Sequence, residues 1–372
     1  MRPSWVEVDL AAVRSNVAAI ADVVAPAALC AVVKADAYGH GDVPVAGAAL
    51  DGGAQWLAVA LVEEAARLRE GGIDAPILLL SEPSPGDAAE VVALGVTPTA
   101  YRWSFATAVA VAAEAAGATP YEIHVKVDSG MHRVGARPEE ALALVRRIAD
   151  DRRLALAGIW THFAVSEEDT DYTAGQLKVL HSLVDSLAAE GISAPWIHAA
   201  NTAAALDMAP SRLSLVRVGL GMYGLRPAPA VGDGVDLRPA MRVVSHVSYL
   251  QRLSAGERPS YGRVRALAEE STIATIPIGY ADGVARRLAT VGGEVLIAGK
   301  RHPFAGNITM DQIVVDVGDD PVSVGDQVVL LGRQGDDAIT AEEWADRLGT
   351  INYEIVCDFG PRLPRRYLGS AP

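Results

Sequence analysis

Eight short apolar runs, each separated from the next by a helix-sized spacer, fill the first two-thirds of the sequence and restrict the fold more than any other feature. They are Leu29–Val33, Trp56–Ala60, Ile77–Leu80, Val96–Thr99, Glu122–Val127, Leu156–Thr161, Trp196–Ala199 and Leu215–Val218. The spacers are alanine-rich and carry helix punctuation. Asp9 stands as an N-cap before one, Ala60–Glu70 stops at Gly71-Gly72, and Trp103–Ala116 stops at Gly117. Strands this apolar have no wet face, which fits a parallel sheet covered by helices. Eight of them alternating with helices predict an α/β fold, a (β/α)8 TIM barrel, over residues 10–238.

After Pro239 the alternation stops. Val243–Leu250, Thr272–Pro277, Glu294–Ile297, Gln312–Val317 and Gln327–Leu331 are strand-like runs cut by Gly, Pro and Asp. One short helix is signalled at Thr340–Leu348, where Thr340 and Glu343 fit a capping box. Residues 239–372 therefore read as a smaller, mainly β domain, with Arg226–Gly234 as the linker.

At 372 residues the chain exceeds what one core usually serves. Its net charge of −14 disfavours nucleic acid and anionic membranes as partners, but leaves an anionic small ligand open. Cys30 and Cys357 are too few and too far apart for a disulfide framework or a metal site, and buried thiols are their plain reading. No run reaches the length of a membrane span, and the acids Glu7 and Asp9 stand where a signal peptide needs an apolar core. The expected location is the cytoplasm.

In a (β/α)8 barrel, chemistry gathers on the loops that follow the strands. Lys34 lies just past the first strand, in Val33-Lys34-Ala35-Asp36-Ala37-Tyr38-Gly39-His40-Gly41. Its stem could snorkel along the rim with the amine in water. Alternatively, partial withdrawal from water lowers its pKa and makes it a nucleophile or Schiff-base partner. Other strand ends carry Lys126-Val127-Asp128-Ser129-Gly130-Met131-His132-Arg133, Thr161-His162-Phe163, Asn201-Thr202, and Arg217-Val218-Gly219-Leu220-Gly221-Met222-Tyr223-Gly224. Any one is explicable as structure; four such clusters on one rim point to a site.

Gly219-x-Gly221-x-x-Gly224 matches the dinucleotide fingerprint literally, but Leu225-Arg226-Pro227-Ala228-Pro229 follows where a helix must start, so that reading fails. The same glycines suit a phosphate held by backbone N–H groups, as barrel loops after strands seven and eight commonly do. A Schiff-base lysine and a phosphate seat on one rim fit pyridoxal 5'-phosphate.

Trp5-Val6-Glu7-Val8-Asp9-Leu10 with Asn16, the Lys34 and Lys126–Gly135 segments, Thr161-His162-Phe163-Ala164 and His198-Ala199-Ala200-Asn201-Thr202 form one ordered set. Ser260-Tyr261-Gly262, Pro277-Ile278-Gly279-Tyr280-Ala281-Asp282-Gly283 and Met310-Asp311-Gln312 extend it. Together they resemble the alanine racemases, pyridoxal-phosphate enzymes of fold type III, from end to end. The resemblance implies an isomerase that interconverts L- and D-alanine by two-base α-proton transfer and supplies D-alanine for peptidoglycan. It implies a homodimer with shared active sites and a small amino-acid substrate. The first strand, within residues 1–9, would pack on the β domain.

The resemblance also assigns roles. Lys34 would hold the cofactor and act as one acid/base, and Tyr261 would act from the opposite face in the partner's site. Arg217 would face the pyridine nitrogen, supported by His162. Tyr38, Thr202 with neighbouring Asn201, the backbone at Gly219 and Leu220, and Tyr353 would hold the cofactor, chiefly its phosphate. Arg133 would meet the ring oxygen and the substrate carboxylate, braced by Lys126, a position often carbamylated in the family. Tyr280 and Met310 would close the substrate pocket, with Asp311 supporting the tyrosine neighbourhood. No metal is implied.

Some positions depart from the family pattern: Asp36 replaces the usual Asn, Thr202 replaces Ser, and Asn307-Ile308-Thr309 lacks an Arg common shortly before the methionine. A fold-type III decarboxylase would want an acid in place of Arg217. A racemase of serine or a broader set of amino acids, and a non-catalytic pyridoxal-phosphate carrier, are the remaining alternatives. A carrier would lack the full β domain and Tyr261.

Overall fold

The computed structural model describes residues 2–369. The chain forms two compact units. One comprises Ala12–Ala37 and Asp42–Arg238; the other holds the N-terminal segment through Ala11, Tyr38–Gly41, and the chain from Pro239 onward.

The first unit is the expected barrel. After β1 (Trp5–Asp9), its strands are β2 (Ala28–Val32), β3 (Trp56–Val59), β4 (Ile77–Leu79), β5 (Thr99–Ala100), β6 (Tyr121–Lys126), β7 (Leu154–Trp160), β8 (Trp196–His198) and β9 (Leu215–Val218). They pair in parallel as β4-β3-β2-β9 and β5-β6-β7-β8. Short backbone links join the two halves. Thr97 donates to Ile77 O and accepts from Leu79 N at 2.9 and 3.0 Å. Ser214 N donates to Ile197 O at 3.1 Å and Arg217 N to Ala200 O at 3.0 Å, closing the ring. The fourth strand is displaced from Val96–Thr99 to Thr99–Ala100; before it, Thr97 bridges Leu78 and Pro98 O accepts from His124 N at 2.9 Å.

Every residue of β2, β3, β4 and β9 is buried, and each fully buried aliphatic side chain contributes roughly 1.5–3 kcal/mol. The helices Leu10–Val24, Val62–Glu70 and Trp103–Ala116 follow the sequence signals, the last ending on left-handed Gly117. Arg226–Gly234 is not an extended linker. The Arg226 guanidinium donates to the carbonyls of Val231, Gly232 and Val235 at 2.5–2.7 Å, folding the loop on itself.

The second unit is mainly β. Its larger sheet runs β14-β13-β16-β10-β1-β18, with β17 on β16, and its smaller one β11-β12-β15. These strands are β10 (Met241–His246), β11 (Tyr249–Leu253), β12 (Ser271–Ile276), β13 (Glu294–Ile297), β14 (Lys300–Pro303), β15 (Ile313–Gly318), β16 (Gln327–Gln334), β17 (Asp337–Ile339) and β18 (Arg365–Leu368). β1 lies between antiparallel β10 and parallel β18. The run Val243–Leu250 divides into two strands in different sheets. Val247 N bonds Asp326 O beside β16, while Ser248 N bonds Thr275 O on β12 at 2.8 Å. The capping box at Thr340 is only half made: Thr340 Oγ1 accepts from Glu343 N, but the Glu343 carboxylate serves Arg301 and Arg347.

One interior contact of the barrel is testable. A Cβ on Gly158 of β7 would lie 2.5 Å from ring atoms of buried His124 on β6. Gly158→Ala is expected to lose about 1–3 kcal/mol of stability through overpacking. Denaturant unfolding checks it, and a wild-type midpoint would show that the ring can move aside.

Candidate active site

Lys34 follows the last ladder bond of β2, in which Val33 N donates to Ala58 O at 2.9 Å. The next five residues turn left-handed: φ is +54, +52, +51, +54 and +77° from Ala35 to Gly39. Four are not glycine, and each costs about 1–2 kcal/mol in this region. The surroundings hold the turn. Ala37 N bonds back to Val33 O at 2.9 Å, Ala35 N donates to buried Glu64, and Asp36 Oδ1 accepts from Asp42 N at 3.0 Å. In the second unit, Gly39 O accepts from Arg365 Nε and Nη2 at 3.0 and 2.9 Å. A Cβ on Gly39 would lie 2.5 Å from Val356 O, so only glycine fits. Tyr38 packs its ring 6.2 Å from that of Tyr353, and burial pushes its phenol up.

The barrel unit holds a buried cation. Arg217, on β9, donates through Nη2 to Thr161 O and Ala199 O and through Nη1 to His198 Nδ1, all at 2.8 Å. His162, the expected support, is the weaker contact at 3.4 Å. His198 had no role assigned from sequence. It is the last residue of β8, and a lone histidine in an apolar run reads as core.

Because a guanidinium only donates, His198 accepts at Nδ1 and carries its proton on Nε2, 3.0 Å from His124 Nδ1. His124 then carries its own proton on Nε2, a buried atom with no partner among the described residues. Burial and the Arg217 charge hold both imidazoles neutral, His124 at about 3 and His198 well below its ordinary value. Burial also lowers Arg217 to about 10, which leaves it cationic at neutral pH.

Trp160 is the shared floor. His198 stacks on it at 5.4 Å, Arg217 Cζ lies 4.6 Å over it, and Lys126 Nζ 4.3 Å. Burial and the charges of Arg217, Arg133 and Lys34 lower Lys126 to about 7. Burial and Arg217, with Lys126, Arg133 and Lys34 adding to it, also hold His162 well below the usual imidazole range. Lys34, Lys126, Arg133, His162 and Arg217 thus share one electrostatic neighbourhood. Arg133 is exposed, on a loop set by Asp128 Oδ1 accepting from Gly130 N and His132 N. Gln176 braces the adjoining strand ends, accepting from Ala164 N and donating to His162 O and Ser129 Oγ, a role sequence reasoning missed.

At the glycine-rich turn, Thr202 Oγ1 accepts from Gly219 N at 3.2 Å and Gly221 N at 3.4 Å. A Cβ on Gly221 would lie 2.8 Å from the Thr202 methyl, which explains a glycine there. Asn201 caps Thr202–Asp207 by accepting from Ala204 N, and Leu220 opens the 3-10 turn that ends at Tyr223. Tyr223 donates to Val32 O at 2.9 Å, tying this turn to the strand that leads to Lys34. A lysine amine, a buried guanidinium and a hydroxyl ringed by amide donors form the set that an aromatic aldehyde phosphate requires, so pyridoxal phosphate fits.

The remaining residues lie in the second unit. Asn307 Nδ2 donates to Tyr261 O at 2.8 Å, and Tyr280 N and Ala281 N donate to Thr309 O and Met310 O. Tyr261 is 73% exposed, Met310 53% and Tyr280 42%. Asp311 accepts from Arg362 Nη2 at 2.5 Å. Arg362 also reaches buried Asp282 at 3.3 Å, whose other carboxylate oxygen accepts from Gly279 N beside Tyr280.

The family model described as alanine racemase, N-terminal domain, matches residues 8–227, and that for the C-terminal domain matches 240–367. An alanine racemase of Symbiobacterium thermophilum is 44% identical over 99% of this chain and 98% of its own. The alanine racemase structure from D-cycloserine-producing Streptomyces lavendulae superposes with a TM-score of 0.94 at 38% identity, covering 100% of this chain and 98% of that one. A histidine racemase from Leuconostoc mesenteroides shares the fold at a TM-score of 0.90 and 28% identity, covering 99% of both chains. From matched domains, near full-length similarity and a shared set of motifs, the chain belongs to the alanine racemase family, pyridoxal-phosphate-dependent isomerases.

Proposed function

We propose that this chain interconverts L- and D-alanine with Lys34 and Tyr261 as the two acid–base groups. The observation that carries the reading is the Arg217 guanidinium, buried and fixed by carbonyls and an imidazole within the electrostatic neighbourhood of Lys34. Pyridoxal phosphate, when bound, supplies an electron-withdrawing ring that acidifies the α-proton of an amino acid joined to it. Lys34 Nζ holds the cofactor and moves a proton on one face; the Tyr261 phenol moves one on the other. Arg217 would face the ring nitrogen and oppose its protonation, because a second positive charge beside a fixed guanidinium is unfavourable. That favours proton return over other fates of the amino acid.

Tyr38, Tyr353, Thr202 and the backbone of Gly219 and Leu220 would hold the cofactor phosphate, with Asn201 a further cofactor-binding residue. Arg133 orients the substrate carboxylate, and Tyr280 and Met310 close the pocket. The exposure of Tyr261, Tyr280 and Met310 in one chain supports a homodimer in which each copy completes the other's site. No helix among the described residues is long and apolar enough to cross a membrane. The activity we assign belongs in the cytoplasm, with D-alanine passing to peptidoglycan.

The test is a chiral assay of the cofactor-loaded protein on L-alanine, beside L-serine and L-histidine. Equal D- and L-alanine, with the others slow, is the expected result. Absence of D-alanine from folded, loaded protein would overturn the reading and move weight to another amino acid or a carrier. Mixing Lys34→Ala with Tyr261→Ala should restore part of the activity, because one site of each mixed dimer then keeps both groups. Mixed dimers that form yet stay inactive would remove the shared site.

Lys126 is proposed to carry a carbamate, formed when its neutral amine adds to carbon dioxide and loses a proton. Its surroundings favour this: the amine is near half-neutral at pH about 7, and an anion would be welcome among Arg217, Arg133 and Lys34. For the unmodified amine the sign is fixed. Between about 7 and 10.5 the unfolded chain binds the proton that the folded chain has lost, so stability rises with pH across that window. In carbon-dioxide-free buffer, melting temperatures should therefore climb from pH 7 to 9 more steeply than in Lys126→Met. Added bicarbonate should reduce the difference, and parallel curves throughout would contradict the buried-cation account.

A further inference from the structure

We propose that Glu64 is the positioning residue for Lys34, fixing the backbone on the far side of the lysine so that its amine is delivered to the cofactor. Glu64 is 6% exposed and lies near the start of the helix Val62–Glu70 that follows β3. Its Oε1 accepts from Ala35 N at 2.7 Å, while Oε2 accepts from Ala60 N at 2.8 Å and Leu61 N at 3.1 Å. Two of those bonds are what an acid in a first helical turn does anyway, serving amides at its own helix start. The third is not explained by capping. It is the shortest, and it reaches a different loop, to the residue covalently next to Lys34.

The placement matters because of what lies on either side. Val33 N is held by Ala58 O, the end of the parallel ladder, and Ala35 N by Glu64. Lys34 is thus suspended between two pinned amides, and the chain turns left-handed immediately beyond it. Asp36, in that turn, accepts from Asp42 N, and Asp42 in turn accepts from Arg67 Nε at 2.9 Å. Arg67 belongs to the same helix as Glu64. One helix therefore grips the turn twice, directly at Ala35 and through Asp42 at Asp36. An acceptor-only group suits three converging N–H donors; a glutamine must turn an NH2 toward at least one of them.

This rests on the reading that Lys34 binds the cofactor, and the experiment separates the two. Cofactor-stripped protein is mixed with pyridoxal phosphate, and the lysine linkage, in which Nζ adds to the aldehyde carbon and water departs, is followed by visible absorption. Glu64→Gln is expected to slow this capture about tenfold, the scale of a lost hydrogen bond to a charged group. In racemisation, kcat should fall comparably while KM for alanine stays within about twofold, since substrate binding is untouched. Glu64→Asp, which keeps the carboxylate one methylene back, should fall between the two.

Capture and kcat at wild-type values in Glu64→Gln would overturn the proposal and leave Glu64 a helix cap. Losses that merely track a lowered melting temperature in both variants would overturn it too, because the role would then be structural. If Lys34→Ala still develops the linkage absorption, the assignment of Lys34 fails instead, and Glu64 with it. If Lys34→Ala abolishes the absorption while Glu64→Gln leaves it unchanged, only the Glu64 proposal fails.

Discussion

The guanidinium of Arg217 is the interaction around which the barrel site is organised. A buried cation is tolerated only when its donors are met, and here they are met by carbonyls after β7 and β8 and by the imidazole of His198. None of these partners is an anion, so the positive charge is held in geometry without being neutralised. Its field then sets the rest. It disfavours protons on His124, His162 and His198 and adds to the burial that lowers Lys126. The chain carries a net charge of −14, yet this neighbourhood is cationic, which suits a phosphate, a carboxylate or a carbamate.

The second constraint is backbone strain beside the lysine. Four non-glycine residues in left-handed conformation would unwind without support, and each unit supplies its own: Glu64 and Asp42 in the barrel, Arg365 in the β unit. Strain kept at one place by hydrogen bonds from rigid elements fixes a side chain's origin more tightly than a relaxed loop could. The lysine is the residue that gains from it.

These two features differ in how far the sequence revealed them. The barrel strands were legible because parallel strands buried on both faces are mostly apolar, as Ala28–Val32 is throughout and Leu215–Val218 is apart from Arg217. β14, with Lys300, Arg301 and Pro303, and β18, with Arg365 and Arg366, gave no such signal, since pairing and arginine contacts hold them instead. Lys34 and Arg217 were visible as polar groups ending apolar strands. The left-handed turn was not, because Ala35-Asp36-Ala37-Tyr38 carries no residue that demands it, and only Gly39 hints at positive φ. Glu64 was hidden for the same reason that makes it effective: an acid in the first turn of a helix is ordinary, and its bond to Ala35 is tertiary. Tyr261, Tyr280 and Met310 became site residues only through family resemblance, because nothing local separates them from turn chemistry.

That last group carries a physical argument of its own. A phenol moves protons selectively when water is kept from it and a partner orients it. Tyr261 has an ordered backbone, gripped at its carbonyl by Asn307 and flanked by left-handed Ser260 and Arg263. Its side chain nevertheless stands 73% exposed in one chain. The strained turn thus presents an exposed tyrosine ring on a fixed backbone. That exposure is what the proposed homodimer requires, in which a second copy of this chain would bury the ring.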